Sequence, residues 1–364
     1  MEQRTPYWFH KNLKPQKLED SSALGLEQSV NTLGAAAAAH AGDRRLERRI
    51  QNVQQLLADD LRWVEDTLSK AAASGPAPGS DAALHLVSRG GKRVRPIALL
   101  LSAACFGGIN DKARELAVVS ELVHSATLLH DDVIDEGMER RGAPTARLAW
   151  GNGVSVLAGD LLLVNALDRT SRVAPEAMAD LLSTLRRLVE GEIVQLRGRS
   201  ELDVTEATYE RILRDKTASL FSWATRNGAR VAGASLADQE RLSGFGERLG
   251  IAFQLVDDVL DYSGEQTGKS LLADLREGKL TLPLVLAVAR RPELAQALKR
   301  IHAGDREPVQ FVSQAVIETG ACEEVRRRAS QYTQTAVEAL SSLVPGPARV
   351  LLENVAEELA RRAA

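Results

Sequence analysis

The chain has 364 residues, enough for roughly one to three domains, and its 44% apolar and 26% charged content is that of an ordinary globular protein. A net charge of −3 and an aromatic content of 4% give neither the positive field nor the stacking platforms of a nucleic-acid binder. Cys105 and Cys322 stand apart without metal-ligand spacing and read as reduced thiols in a cytoplasmic setting.

Residues 1–42 are polar and then alanine-rich, and are expected to form a poorly ordered or partly helical extension. The start lacks the apolar stretch of a signal peptide. Its PYWFHKNLKPQK segment mixes aromatics with lysines, which suits weak contact with a membrane surface, although a disordered tail explains it equally well. After Asp43, a good N-cap, Leu46, Ile50, Val53, Leu57, Leu61, Val64 and Leu68 recur at steps of three and four, the stripe of an amphipathic helix. That stripe is compatible with a homodimer seam or with burial in the chain's own core. SGPAPGS then breaks the pattern. Further helical patterns cover 111–135, 153–170, 174–199, 205–232, 235–262 and 280–289, and no segment alternates with the period of two expected of strands. The expected fold is all-α, with 43–364 as one large helical domain. The longest apolar runs, IALLLSAACF and LTLPLVLAVA, are too short to span a bilayer.

Two of these helical patterns end in carboxylates. HDDVIDEG carries Asp131, Asp132 and Asp135, and FQLVDDVLDYSG repeats the D-D-x-x-D spacing with Asp257, Asp258 and Asp261. Positions i and i+4 lie on one helix face, so Asp131 with Asp135, and Asp257 with Asp261, can each offer two carboxylates to one point. One such cluster is ordinarily a solvated acidic turn. Two copies closing apolar helices call for an oxygen-seeking cation such as Mg²⁺, which characteristically bridges carboxylates to substrate phosphates. Matching cations follow in the sequence: Lys92, Arg93 and Arg95 after a Gly-Gly turn, Arg140 and Arg141 past the first cluster, Lys216 beside Thr217, and Lys269 past the second. Any one of them alone would read as a surface charge. His124 lies two turns before Asp131 on the same face and Gln254 three residues before Asp257, where a satisfied core histidine and a structural amide are the plain alternatives.

Five blocks, GGKRVRP, HSATLLHDDVIDEGMERRG, AGDLLL, KTASLF and GIAFQLVDDVLDYSGEQTGKS with DLREGKLTLPL, stand in the order found in the trans-type polyprenyl diphosphate synthases, which residues 43–364 resemble. The SLLAD segment departs from the usual pattern and puts the outer contacts of Asp274 in question. The resemblance implies a helical bundle around a deep central cavity, a homodimer, and condensation of isopentenyl diphosphate with an allylic diphosphate by ionisation, condensation and elimination. It implies a trinuclear Mg²⁺ cluster on Asp131, Asp135 and Asp257, with Asp132, Asp258 and Asp261 ligating or assisting through water. Arg140, Lys216 and Lys269 would grip the allylic diphosphate, and Lys92, Arg95, His124 and Arg141 would hold isopentenyl diphosphate. Thr217 and Gln254 would turn oxygen dipoles toward the allylic cation.

One helical turn advances about 5.4 Å, close to one isoprene unit, so a bulky residue one turn below Asp131 would stop chain growth. Ala126 and Thr127 are small, and Leu167 is a candidate for the floor. A long-chain, quinone-type product is therefore expected over a farnesyl or geranylgeranyl one. A terpene cyclase would have no use for the GGKRVRP block. A non-catalytic subunit of a heteromeric synthase would be expected to lose aspartates or lysines that are all present here.

Overall fold

The computed structural model describes residues 44–202, 205–263 and 272–361. The N-terminal extension and Lys269 lie outside them. The chain runs through α1 (Arg44–Ala72), α2 (Gly79–Val87), α3 (Val94–Ala104), α4 (Asp111–Ile134), α5 (Ala146–Trp150), α6 (Asn152–Val173) and α7 (Met178–Glu201). It continues through α8 (Glu206–Ile212), a π-helical turn (Leu213–Ala218), α9 (Ser219–Val231) and α10 (Leu236–Ser263). The remaining helices are α11 (Ala273–Arg276), α12 (Leu282–Arg290), α13 (Leu294–His302), α14 (Val309–Glu318), α15 (Ala321–Leu340) and α16 (Pro347–Arg361). The fold is all-α, as the sequence predicts. The described strands form one ribbon in which Glu139 pairs with Pro144 and Arg140 with Ala143. Arg141 and Gly142, at φ 55° and 71°, make its two-residue turn, the positive-φ geometry that a tight hairpin requires.

Local chemistry starts and aligns the helices that matter. The Asn110 side chain caps α4 by accepting from Ala113 N at 2.9 Å. Helices α4 and α6 run antiparallel, since Ser155 Oγ donates to the Leu129 carbonyl at 3.0 Å while Arg169 Nη1 meets Glu115 Oε2 at 2.6 Å. Helix α9 is packed closely on both sides. A Cβ on Gly228 would run into the Leu99 carbonyl of α3, and one on Gly246 of α10 into Thr225 Oγ1 and the Phe221 carbonyl.

Apolar side chains gather in two clusters that share α10. Leu57, Leu68, Leu100, Leu122 and Phe221 belong to the first, joined by Leu242, Phe245 and Leu249. Leu255, Val256 and Val259, farther along the same helix, join Leu213, Leu284, Val312 and Val325 in the second. Each fully buried side chain of this size stabilises the fold by about 1.5–3 kcal/mol.

The stripe on α1 is corrected here as a dimer seam: Leu57, Val64 and Leu68 are fully buried and Leu61 nearly so, all in the chain's own core. Leu56 and Trp63 on α1 stay exposed, and another group of exposed apolar residues lies on α6, with Leu157 and Val164, and on α7, with Leu182, Val189, Ile193 and Leu196. Among the described residues no helix is long and apolar enough to cross a membrane.

Candidate active site

Both D-D-x-x-D clusters lie toward the C-terminal ends of their helices, where side chains from distant segments reach them. Helix α4 ends at Ile134, and the Asp135 N–H still donates to the Asp131 carbonyl at 2.8 Å, which holds the pair on one side of the helix end. Lys216 Nζ lies 3.3 Å from Asp131 Oδ2 and also pairs with Glu192. Asp135 is almost fully enclosed, with Arg199 Nη1 at 2.9 Å and Lys279 Nζ at 2.9 Å. Lys279 also lies 3.7 Å from Asp274. Burial opposes the charge on Lys279, yet Asp274, Asp135 and Glu277 raise its pKa, so the ammonium is firmly held.

The middle aspartates point into the protein. Asp132, 1% exposed, accepts from Arg140 Nη2 at 2.6 Å and Nε at 3.1 Å. Asp258, 3% exposed, accepts from Tyr209 Oη at 2.7 Å, Gln254 Nε2 at 2.9 Å and Leu282 N at 3.2 Å. Burial pushes the Asp258 carboxyl up to about 7 against those hydrogen bonds. Asp261 is buried, and its backbone carbonyl accepts from Leu272 N at 3.1 Å. Asp257, whose side chain is 35% exposed, instead faces outward and lies 3.7 Å from Lys92 Nζ.

The GGKRVRP loop divides its cations between two environments. Arg93 takes a left-handed conformation, φ 46°, at the start of α3 and buries its guanidinium against Glu65 of α1 and Glu121 of α4. Those carboxylates raise its pKa despite burial. It is therefore corrected from a ligand-facing cation to a core one. Lys92 and Arg95, on either side, lie over the rings of Phe253 and Phe221 at 5.3 Å and 4.5 Å. Burial lowers Arg95 to about 10, with Glu121 and Asp257 opposing. Its Nε has no hydrogen-bond partner among the described residues. Arg141 Nη1 donates to the carbonyls of Gly90 and Leu86, and a Cβ on Gly91 would stand 3.0 Å from Arg141 Nη2. Burial and Arg93 lower Arg141, also to about 10. Burial and then Arg95 hold His124 neutral, well below its usual range. Lys92, Arg95, Arg141 and His124 thus form one neighbourhood, beside that of Arg140, Lys216 and Lys279.

Thr217 Oγ1 donates to Gln254 Oε1 at 3.2 Å, which joins the π-helical turn to α10. Ala126 is fully buried, whereas Thr127, on the Asp131 face, is half-buried and donates to the His124 carbonyl at 2.8 Å. In the antiparallel register of α4 and α6, Leu167 stands opposite the level of Ala117, about ten residues or ~15 Å below Thr127. Among the described residues no three His, Cys, Asp or Glu side chains close on one point. The donors are all hard carboxylate oxygens in pairs, which suits an ion that keeps water or phosphate as its remaining ligands.

Lys279, Arg199, Glu192 and Tyr209 were not singled out in the sequence. Lys279 does fall in the quoted DLREGKLTLPL block, where its acidic neighbours were the available signal. Arg199 and Glu192 sit on a helix whose charges follow no pattern that separates them from surface ones.

A polyprenyl synthetase family model matches residues 79–319. The octaprenyl diphosphate synthase of Escherichia coli is 35% identical over 319 residues, covering 86% of this chain and 99% of that protein. Heptaprenyl diphosphate synthase component 2 of Geobacillus stearothermophilus is 36% identical over 318 residues, with the same coverage. A Caulobacter crescentus polyprenyl synthase, solved with calcium and isoprenyl diphosphate, superposes with a TM-score of 0.82 at 36% identity, covering 86% of this chain and 98% of that one. The chain belongs to the polyprenyl synthetase family and is a prenyl-transferring diphosphate synthase.

Proposed function

We propose that this chain condenses isopentenyl diphosphate with an allylic diphosphate and repeats the step to a long all-trans product, with residues 43–364 acting as one catalytic domain in the cytoplasm. The observation that supports this reading is that cations from distant segments reach both acidic clusters, Lys216 and Lys279 at Asp131 and Asp135 and Lys92 at Asp257. Asp131, Asp135 and Asp257 would hold Mg²⁺, three ions in all, and the bound metal would stabilise the charge that grows on the leaving diphosphate. Lys216, Arg140 and Lys269 would hold that diphosphate from the protein side, and Lys279, beside Asp135, would join them. Asp132 also keeps Arg140 aimed, Asp258 also ties α10 to Tyr209 and Leu282, and all three middle and outer aspartates, Asp132, Asp258 and Asp261, would assist the metals through water.

Lys92, Arg95, Arg141 and neutral His124 receive the second diphosphate, where the open Nε of Arg95 gains the partner it needs. Gln254 and Thr217 place oxygen dipoles beside the allylic cation, and the departing diphosphate takes the final proton. Because positive groups are in place before the carbon–oxygen bond breaks, their attraction rises with the charge that forms.

A second copy of the chain would cover Leu157, Val164, Leu182, Val189, Ile193 and Leu196, an exposed apolar stripe on α6 and α7 spaced at three, four and seven residues. The component 2 relative supplies the other reading, a heteromer. Purified chain alone, given isopentenyl diphosphate, farnesyl diphosphate and Mg²⁺, should elongate the primer to a long product resolved by chromatography. Asp131→Asn and Asp257→Asn should each lower kcat by roughly 10²–10³-fold. No elongation by well-folded chain on its own would overturn the homomeric reading.

A further inference from the structure

Tyr209 lies outside the two cation neighbourhoods and has no part in the chemistry assigned above. It is 6% exposed, on the short helix α8, and its ring helps to line a cleft of about 300 Å³ with Leu213, Leu255, Leu282 and Tyr332. Its hydroxyl points the other way and donates to Asp258 Oδ2 at 2.7 Å. From there a continuous run of hydrogen bonds reaches the site. Asp258 Oδ1 accepts from Gln254 Nε2 at 2.9 Å, and Gln254 Oε1 accepts from Thr217 Oγ1 at 3.2 Å.

The direction of each bond follows from chemistry. In its ionised form Asp258 can only accept, and Gln254 then turns its NH₂ to Asp258 and its carbonyl to Thr217. Thr217 then spends its proton on Gln254, and its lone pairs are left to face away from that bond. Were Asp258 free to rotate, the amide could flip, and the Thr217 oxygen would lose its fixed direction. Leu282 N alone, at 3.2 Å, leaves Asp258 one protein tether on that oxygen. The Tyr209 hydroxyl provides the second and shorter one.

We propose that Tyr209 is a positioning residue for prenyl transfer: by pinning Asp258 it sets the Gln254 amide and so aims the Thr217 oxygen at the allylic cation. The inference rests on the placement of Gln254 and Thr217 beside that cation. Substrate binding is carried by other groups, so the loss should fall on kcat.

Tyr209→Phe keeps the ring and its packing and removes only the hydroxyl. In steady-state assays with both diphosphates and Mg²⁺, kcat should fall by about ten- to a hundredfold, with KM for each substrate within about twofold. Gln254→Ala should lower kcat as well, and adding Tyr209→Phe to it should cost nothing more, because the relay is already cut. Additive losses, or a loss confined to KM, would assign Tyr209 a merely structural part and overturn the proposal. Unchanged kcat in Tyr209→Phe with a deficient Gln254→Ala would overturn it while leaving the proposed reaction intact. Full activity of Gln254→Ala would remove the placement on which it rests, and an inactive parent chain would remove the proposed reaction itself. Should Tyr209→Phe not fold, Asp258→Asn added to Gln254→Ala gives the reading: no kcat loss beyond that of Gln254→Ala supports the relay, and a further loss overturns it.

Discussion

Single residues in this protein work as pairs, and Arg93 with Glu121 shows the cost of separating one. Burial opposes the charge on Glu121, yet Arg93 foremost holds its carboxyl down, from 4.5 to about 2. Its folded pKa lies below the unfolded one, so its stabilisation is complete above pH 4.5 and is lost as pH falls toward 2. At about 1.4 kcal/mol per pH unit that amounts to roughly 3 kcal/mol. Glu121→Gln should therefore lower the urea midpoint by a constant amount at neutral pH, and the difference from the parent should shrink through that acid window. The GGKRVRP block was legible as a group of cations, but not their division. A left-handed backbone at Arg93 turns one side chain inward between two that face the site, and no periodicity announces such a reversal. Lys279 was hidden for a related reason, since its partner Asp135 is remote in sequence and only the closed fold brings them together.

At the scale of elements, the helices read from apolar recurrence fall within a few residues of the observed ones, as in 111–135 against Asp111–Ile134, but 205–232 is divided by the π-helical turn, and the helices Gly79–Val87, Val94–Ala104 and those from Leu294 onward go unread. Depth along α4 follows from its register with α6. Thr127, with its partly open surface on the Asp131 face, stands above Leu167, and a bulky group there should close the path early. Thr127→Phe is expected to shift the product to fewer isoprene units, as read by chain-length chromatography. Ala126→Phe should instead cost stability, since Ala126 is fully buried. The α9–α10 contact gives a second test. Gly246→Ala drives a methyl against Thr225 Oγ1 and the Phe221 carbonyl and should destabilise the fold by about 1–3 kcal/mol in urea titrations. Neither the close approach at Gly246 nor the π-helical turn that carries Lys216 and Thr217 leaves a mark in a single sequence, because both depend on what packs opposite.

For the whole molecule, Leu57, Leu61, Val64 and Leu68 of the α1 stripe are buried within one chain, and α6 and α7 carry the apolar stripe proposed for a second copy. On the proposed homodimer, light scattering should find the parent dimeric and Ile193→Glu with Leu157→Arg monomeric. Helix α10 has a wider bearing. It contributes to both hydrophobic clusters and carries Asp257, Asp258 and Asp261 near its far end, so loosening either cluster loosens the same rod. Warming should therefore leave no window in which one half of the protein has melted and catalysis survives in the other, and inactivation and loss of helicity should share a midpoint.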